Sequence, residues 1–168
     1  MRFIFITLLF LLSSCDEAPI QSSMIACDDP SDFMLEDLNS SSSRYGDLVG
    51  PSTWDGEIRL FYFSSNEQWG TCVSRFASLN DLYEDYLDSS IDVYVIGIGK
   101  NNGTPVDEIT ASNNLPWVKE NAECNVWLEW EASNRDLYIM NKEDEIIEKI
   151  NLTSGFDETQ IKYIINGL

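Results

Sequence analysis

The 168-residue sequence predicts an α/β fold with three layers, a central mixed sheet flanked by helices. Two dense apolar runs, "EIRLFYFS" and "IDVYVIGIG", enclose a helical segment. Two further strand-like runs, "DLYIMN" and "EIIEKINL", are joined by the short polar link "KED". The chain then closes on an amphipathic stretch, "DETQIKYIINGL". The order is a βαβ unit followed by a ββα unit.

The first run has too little alternation for a surface strand, so it predicts a strand buried on both faces. After it, "CVSRFASLNDLYEDYLD" places Val73, Phe76, Leu79, Tyr83, Tyr86 and Leu87 at helical spacing, with acids between them. "IDVYVIGIG" is the second buried strand. A strand, a helix and a strand in this order require a parallel pair and a right-handed crossover. A Gly/Asn/Pro-rich loop leads to the short helical stretch "PVDEITAS". "NVWLEWEA" predicts another short helix, with Trp127 and Trp130 three apart on one buried face. The hairpin "DLYIMN-KED-EIIEKINL" is antiparallel. Asp157 is a candidate N-cap for the last helix, with Gln160 three residues later. Ile161, Ile164, Ile165 and Leu168 then share one face of it.

The beginning of the chain belongs to a different class. Arg2 precedes a short apolar run, Phe3 to Leu12, which ends in Leu12-Ser13-Ser14-Cys15. The run is too short to span a bilayer and reads as a secretory signal. Its ending resembles the bacterial lipobox. The resemblance implies that residues 1–14 are removed and that Cys15 carries lipid. Residues 15–50 are rich in Ser, Asp and Glu, and predict an acidic, mostly disordered tether. Within it, "SDFMLEDL" has the pattern of a helical turn or a segment that docks on the domain. The folded domain is expected over 51–168.

Formal charge is −19, and removing residues 1–14 takes away Arg2 and no acid, giving −20. Such a chain is repelled by nucleic acid and by anionic head groups. Membrane attachment therefore rests on the lipid of Cys15, and the expected partner is a protein of the envelope. The expected location is the bacterial cell envelope, lipid-anchored on the periplasmic face, in either the inner or the outer membrane. There is no histidine, which excludes Ser-His-Asp and Cys-His catalysis and any histidine-ligated zinc site. "GIGKNNG" has its third glycine one place too late for a dinucleotide fingerprint. "NKEDE" and "DDPSD" lack the glycine and terminal glutamate of a calcium loop. No cofactor and no metal are expected.

Between the first strand and the long helix lies "SSNEQWGTCVSRF". This stretch and the helix after it resemble the thioredoxin-like superfamily, whose C-x-x-C motif opens the corresponding helix. Trp69-Gly70-Thr71-Cys72 falls on that motif. "SNRDLYIMNKEDEI" resembles the later segment in which thioredoxins place a cis-proline before a strand and hairpin. "LPW", "NVWLEW", "NRDLYI" and "INLT" look similar to a branch containing the selenoprotein P N-terminal domain and bacterial lipoproteins. The resemblance covers roughly residues 54–168 and implies a thioredoxin-like fold and thiol–disulfide chemistry.

The departures from the pattern bear on activity. Trp69 replaces the attacking cysteine, and exchange needs both a nucleophile and a resolving thiol. Asp136 occupies the cis-proline position, or Arg135 if the register shifts by one. A cis bond before a non-proline residue costs about 2.5–4 kcal/mol, so that geometry is expected to be lost. Dithiol catalysis is then lost as well. Three alternatives remain for Cys72. It is a redox cysteine at a helix N-terminus, where backbone N–H groups favour a sulfur anion. It is an inert thiol. Or a structural disulfide forms among Cys27, Cys72 and Cys124, an odd set in an oxidising compartment, with Cys72 paired or left over. The first reading of function is a binding or accessory role. The second is a thiol–disulfide oxidoreductase or thiol sensor that uses Cys72 with Cys124 or Cys27.

Overall fold

The computed structural model of the protein describes residues 27 and 29–168. The signal segment, Cys15 and the first part of the expected tether lie outside the described residues.

A five-stranded sheet forms the middle of the molecule, in the order β5-β4-β3-β6-β7. Its strands are β3 (Ile58–Ser64), β4 (Val93–Gly99), β5 (Trp117–Lys119), β6 (Asp136–Met140) and β7 (Ile146–Asn151). β3 runs parallel to β4, and β4 to β5, whereas β6 is antiparallel to β3 and to β7. The long helix α1 (Gly70–Tyr86) makes the β3-to-β4 crossover, the short α2 (Asp107–Thr110) lies between β4 and β5, and α4 (Glu158–Ile165) follows the hairpin. This is the mixed α/β architecture that the order of apolar segments predicts. β5 had no counterpart in that prediction. It is three residues long and follows Pro116, which leaves no strand-length pattern to read.

The apolar runs of β3 and β4 have two faces because the sheet is covered twice. Leu60 and Tyr62 point to one side, against Phe76, Leu79 and Leu82 of α1 and Ile161 and Ile165 of α4. Phe61 and Phe63 point to the other, against Trp127 of α3 (Val126–Glu129) and Trp130 just beyond it. Ring pairs bind this second layer, with Phe63 edge-on to Trp127 at 5.3 Å and Phe61 to Trp130 at 4.9 Å. The N-cap of α4 is Asp157, whose carboxylate accepts from the Gln160 backbone N–H at 3.0 Å. Gly97 permits close packing inside β4, since a Cβ there would lie 2.1 Å from the Trp117 ring.

The boundary of the domain differs from the sequence expectation. Residues 29–50, expected as tether, are built into the second layer. Phe33 and Val49 are fully buried, and β1 (Leu35–Glu36) pairs with β2 (Leu48–Val49). The segment is fixed mainly by buried polar groups. Asp37 accepts from the Trp117 N–H at 3.0 Å, and Asn39 donates to the Leu115 carbonyl at 2.8 Å. Cys27 is joined to Cys124, 97 residues away, which staples the start of this segment beside α3.

Candidate functional site

The loop from β3 into α1 lies at the carboxyl end of the parallel strands, where α/β sheets place their sites. Trp69 is the N-cap residue of α1, with extended backbone and no side-chain capping bond. Its indole is 53% exposed, while Gly70 and Thr71 form the open first turn. Cys72 comes next and is fully buried. Helical periodicity turns it inward, onto the face that packs against Tyr62 and the sheet. The Tyr62 hydroxyl donates to the Cys72 carbonyl at 3.3 Å. Burial pushes the Tyr62 phenol well above its ordinary range, so it remains a donor.

Two residues from the loop before β6 meet the sulfur. Arg135 Nη1 donates toward Cys72 Sγ at 3.6 Å, and the thiol lies 3.8 Å from Asn134 Oδ1. A thiol is a weak donor and a weak acceptor, and here it has a neighbour for each role. Asn134 also holds the loop before α1, accepting from the Ser65 N–H at 2.9 Å. Arg135 has φ +68°, in the left-handed region, and its Nε donates to Thr153 Oγ1 at 3.1 Å. No peptide bond among the described residues is cis.

Asp136 does not join this group. It is buried on the opposite side of the sheet, where its carboxylate accepts from Ser133 N–H and pairs with Lys149 Nζ at 3.1 Å. The nearest of the two alternative residues to the sulfur is therefore Arg135. Cys27 and Cys124 do not join it either. Their disulfide belongs to the second layer, whereas Cys72 lies in the first, with the sheet between them. The expectation that one of them stands ready to resolve a Cys72 mixed disulfide is corrected by this separation. Cys72 is the free cysteine of the described residues.

The sequence did not single out Asn134 or Glu67. Glu67 sits in the loop before α1, fully buried, with Lys119 Nζ 3.2 Å from its Oε1. Lys119 also donates to Asn102 Oδ1 and to the Thr104 carbonyl, both at 2.8 Å. Gly99 makes room for the carboxylate, since a Cβ there would lie 2.3 Å from Glu67 Oε1. This ion pair ties the loop to the β5 edge. Nothing in "NEQW" distinguishes a buried glutamate from a solvated one; the only available signal is the pair of strand-end residues, Gly99 and Lys119, which meet only through the fold. Among the described residues, no group of three or more His, Cys, Asp or Glu side chains is placed to hold a metal ion.

No family model matches the chain, and no curated protein matches it. Solved structures do. A secreted Mycobacterium tuberculosis disulfide oxidoreductase, described as homologous to E. coli DsbE, superposes with a TM-score of 0.63 at 13% identity, covering 84% of this chain and 99% of that one. StoA from Bacillus subtilis gives 0.60 at 15%, covering 80% and 96%. BsSco, a member of the Sco family of cytochrome c oxidase assembly proteins in which a disulfide switch was identified, gives 0.62 at 13%, covering 81% and 90%. The fold is thioredoxin-like.

Proposed function

We propose that the chain is a thioredoxin-like protein of the cell envelope, held to a membrane by lipid on Cys15. It acts by binding a protein partner and not by dithiol exchange. The observation that carries this reading is the exposed Trp69 at the N-cap of α1; the resemblance to the thioredoxin motif aligns this position with the attacking cysteine. Exchange begins with a thiolate and ends with a second thiol displacing the first. Trp69 supplies neither, and the remaining sulfur is enclosed. The exposed indole of Trp69 and the half-buried Arg135, which reaches Cys72 three residues after Trp69, supply contact area and charged hydrogen-bond donors instead, the residue types that anchor protein interfaces. The structural relatives, a secreted disulfide oxidoreductase and a cytochrome c oxidase assembly protein with a disulfide switch by their descriptions, support an envelope setting related to thiol–disulfide chemistry.

The test compares two variants of the intact chain. Trp69→Ala is expected to weaken capture of the envelope partner, and Cys72→Ala to leave it intact. Equal capture by both variants and the parent overturns the reading.

A second reading is favoured by the 3.6 Å contact between Arg135 and the sulfur. In it Cys72 attacks a substrate disulfide, one S–S bond forms as the other breaks, and one substrate thiol leaves. With Trp69 in the motif and Cys27–Cys124 closed, an external thiol has to release the product. Turnover of glutathione disulfide with added dithiothreitol, abolished by Cys72→Ala, establishes this reading. No turnover removes it.

A further inference from the structure

At the other end of the sheet, far from Cys72, a cavity of about 470 Å³ opens between the N-terminal segment and the hairpin. Its place is fixed by Arg59, the second residue of β3, five residues before Ser64 and therefore roughly 16 Å from the carboxyl end. Arg59 is 1% exposed and lines this cavity. Its Nη1 donates to the Pro51 carbonyl at 3.0 Å, and its Nη2 to the Asn141 carbonyl and Asp144 at 2.7 Å. Its Nε is buried, with no partner among the described residues. The guanidinium is thus enclosed, and the cavity meets a ligand through the rest of its lining.

That lining says which ligand fits. Trp130, Met140 and Ile146 give an apolar wall. Four carboxylates, from Asp32, Asp55, Glu129 and Asp144, line the cavity together with the one guanidinium. An anionic ligand is repelled by this rim. The surplus of acids selects a cationic side chain on the ligand. Ile146 also begins β7, which is the outer strand of the sheet and, among the described residues, pairs only with β6. Ile146 and Ile147 are 49% and 42% exposed there. A free strand edge offers main-chain groups to an added extended segment.

We propose that this cavity and the β7 edge form a docking site for an extended, lysine- or arginine-bearing peptide segment of a partner protein. Main-chain groups of the segment pair with the open β7 edge, and a basic side chain meets the carboxylate rim above Trp130 and Ile146. The site does not depend on Cys72 or on the motif at Trp69.

The test titrates the isotope-labelled intact chain with acetyl-Val-Lys-Val-Lys-Val-Lys-amide and with its glutamate counterpart, followed by NMR. The lysine peptide is expected to saturate, with the largest shifts at the Trp130 indole and at the β7 amides from Ile146. The glutamate peptide is expected to cause none. Asp32→Asn with Asp144→Asn is expected to weaken binding roughly tenfold. Asparagine keeps an oxygen to accept from the Ser52 N–H and from Arg59, while the charge of the Arg59–Asp144 pair is lost. Four results overturn the proposal: no saturation, equal response to both peptides, shifts confined to the Trp69 end, or concentration-dependent shifts at Ile146 without peptide. The last would mean that a second copy of the chain takes the edge. If the double variant loses its dispersed spectrum, the comparison of the two peptides on the parent chain decides.

Discussion

Arg135 Nη1 stands 3.6 Å from Cys72 Sγ, and it is held there from a left-handed backbone position. The sulfur thus has a cation on one side and the Asn134 amide oxygen on the other. It is enclosed between them and the first turn of α1.

The enclosure predicts the order in which the sulfurs of the described residues react. Cys72 is expected to resist a maleimide in the native chain and to label after denaturation without reductant. Cys27 and Cys124 are expected to label only after reduction. Peptide mass mapping under the three conditions checks this, and native labelling of Cys72 within minutes contradicts the burial.

A second prediction concerns Glu67 and Lys119. Lys119→Met leaves a fully buried carboxylate without its cation, and is expected to cost about 3–5 kcal/mol. Glu67→Gln combined with Lys119→Met removes both charges and is expected to cost clearly less than Lys119→Met alone. Urea unfolding of the set, read as a double-mutant cycle, tests the coupling.

Gly97 gives a packing prediction with one sign. The Cβ of Gly97→Ala meets ring atoms of Trp117 at 2.1 and 2.4 Å and of Phe76 at 2.8 Å. Both rings are fully buried. A loss of about 1–3 kcal/mol or more is expected from overpacking. A melting temperature equal to that of the parent refutes it.

Tyr62 yields a pH dependence. Burial raises its folded pKa above the ordinary value of 10.0. Above that pH the unfolded chain releases the phenol proton while the folded chain keeps it. The folded state then binds more protons, and stability falls as pH rises. The contribution is whole below about pH 10 and is lost above it. Burial also raises Tyr86, Tyr94 and Tyr138, so Tyr62→Phe is expected to flatten the alkaline loss only in part. At neutral pH the same variant loses the bond to the Cys72 carbonyl, at a cost of about 1 kcal/mol. Urea unfolding from pH 7 to 11 separates the two effects.

How far the sequence reveals this molecule depends on what kind of group does the work. β3, α1 and β4 are legible because their apolar side chains repeat at the period of the element. The pairing of Trp127 and Trp130 on one buried face is legible for the same reason, and both are under 10% exposed. The segment over residues 29–50 is not, because it is held by Asp37 and Asn39, whose composition is that of a solvated linker. β5 escapes because its three residues receive their partners from β4 and from Leu38, which donates to the Trp117 carbonyl at 2.8 Å. At the site, the position of Cys72 follows from its spacing after a buried strand. Its neighbours Asn134 and Arg135 come from 62 and 63 residues away, brought there by the sheet order. No local pattern encodes that meeting. The same holds for Arg59, which reads as one charge in a strand and is instead the buried post between Pro51 and Asn141.

The Cys27–Cys124 bond also sets the mechanical load path. A pull applied before residue 27 is delivered through sulfur directly to the chain at residue 124. The intervening stretch, which holds β3, α1, β4 and β5, carries none of that tension. A chain tugged from its leading end would therefore drag the α3 corner first, and the helix bearing residue 72 would stay slack.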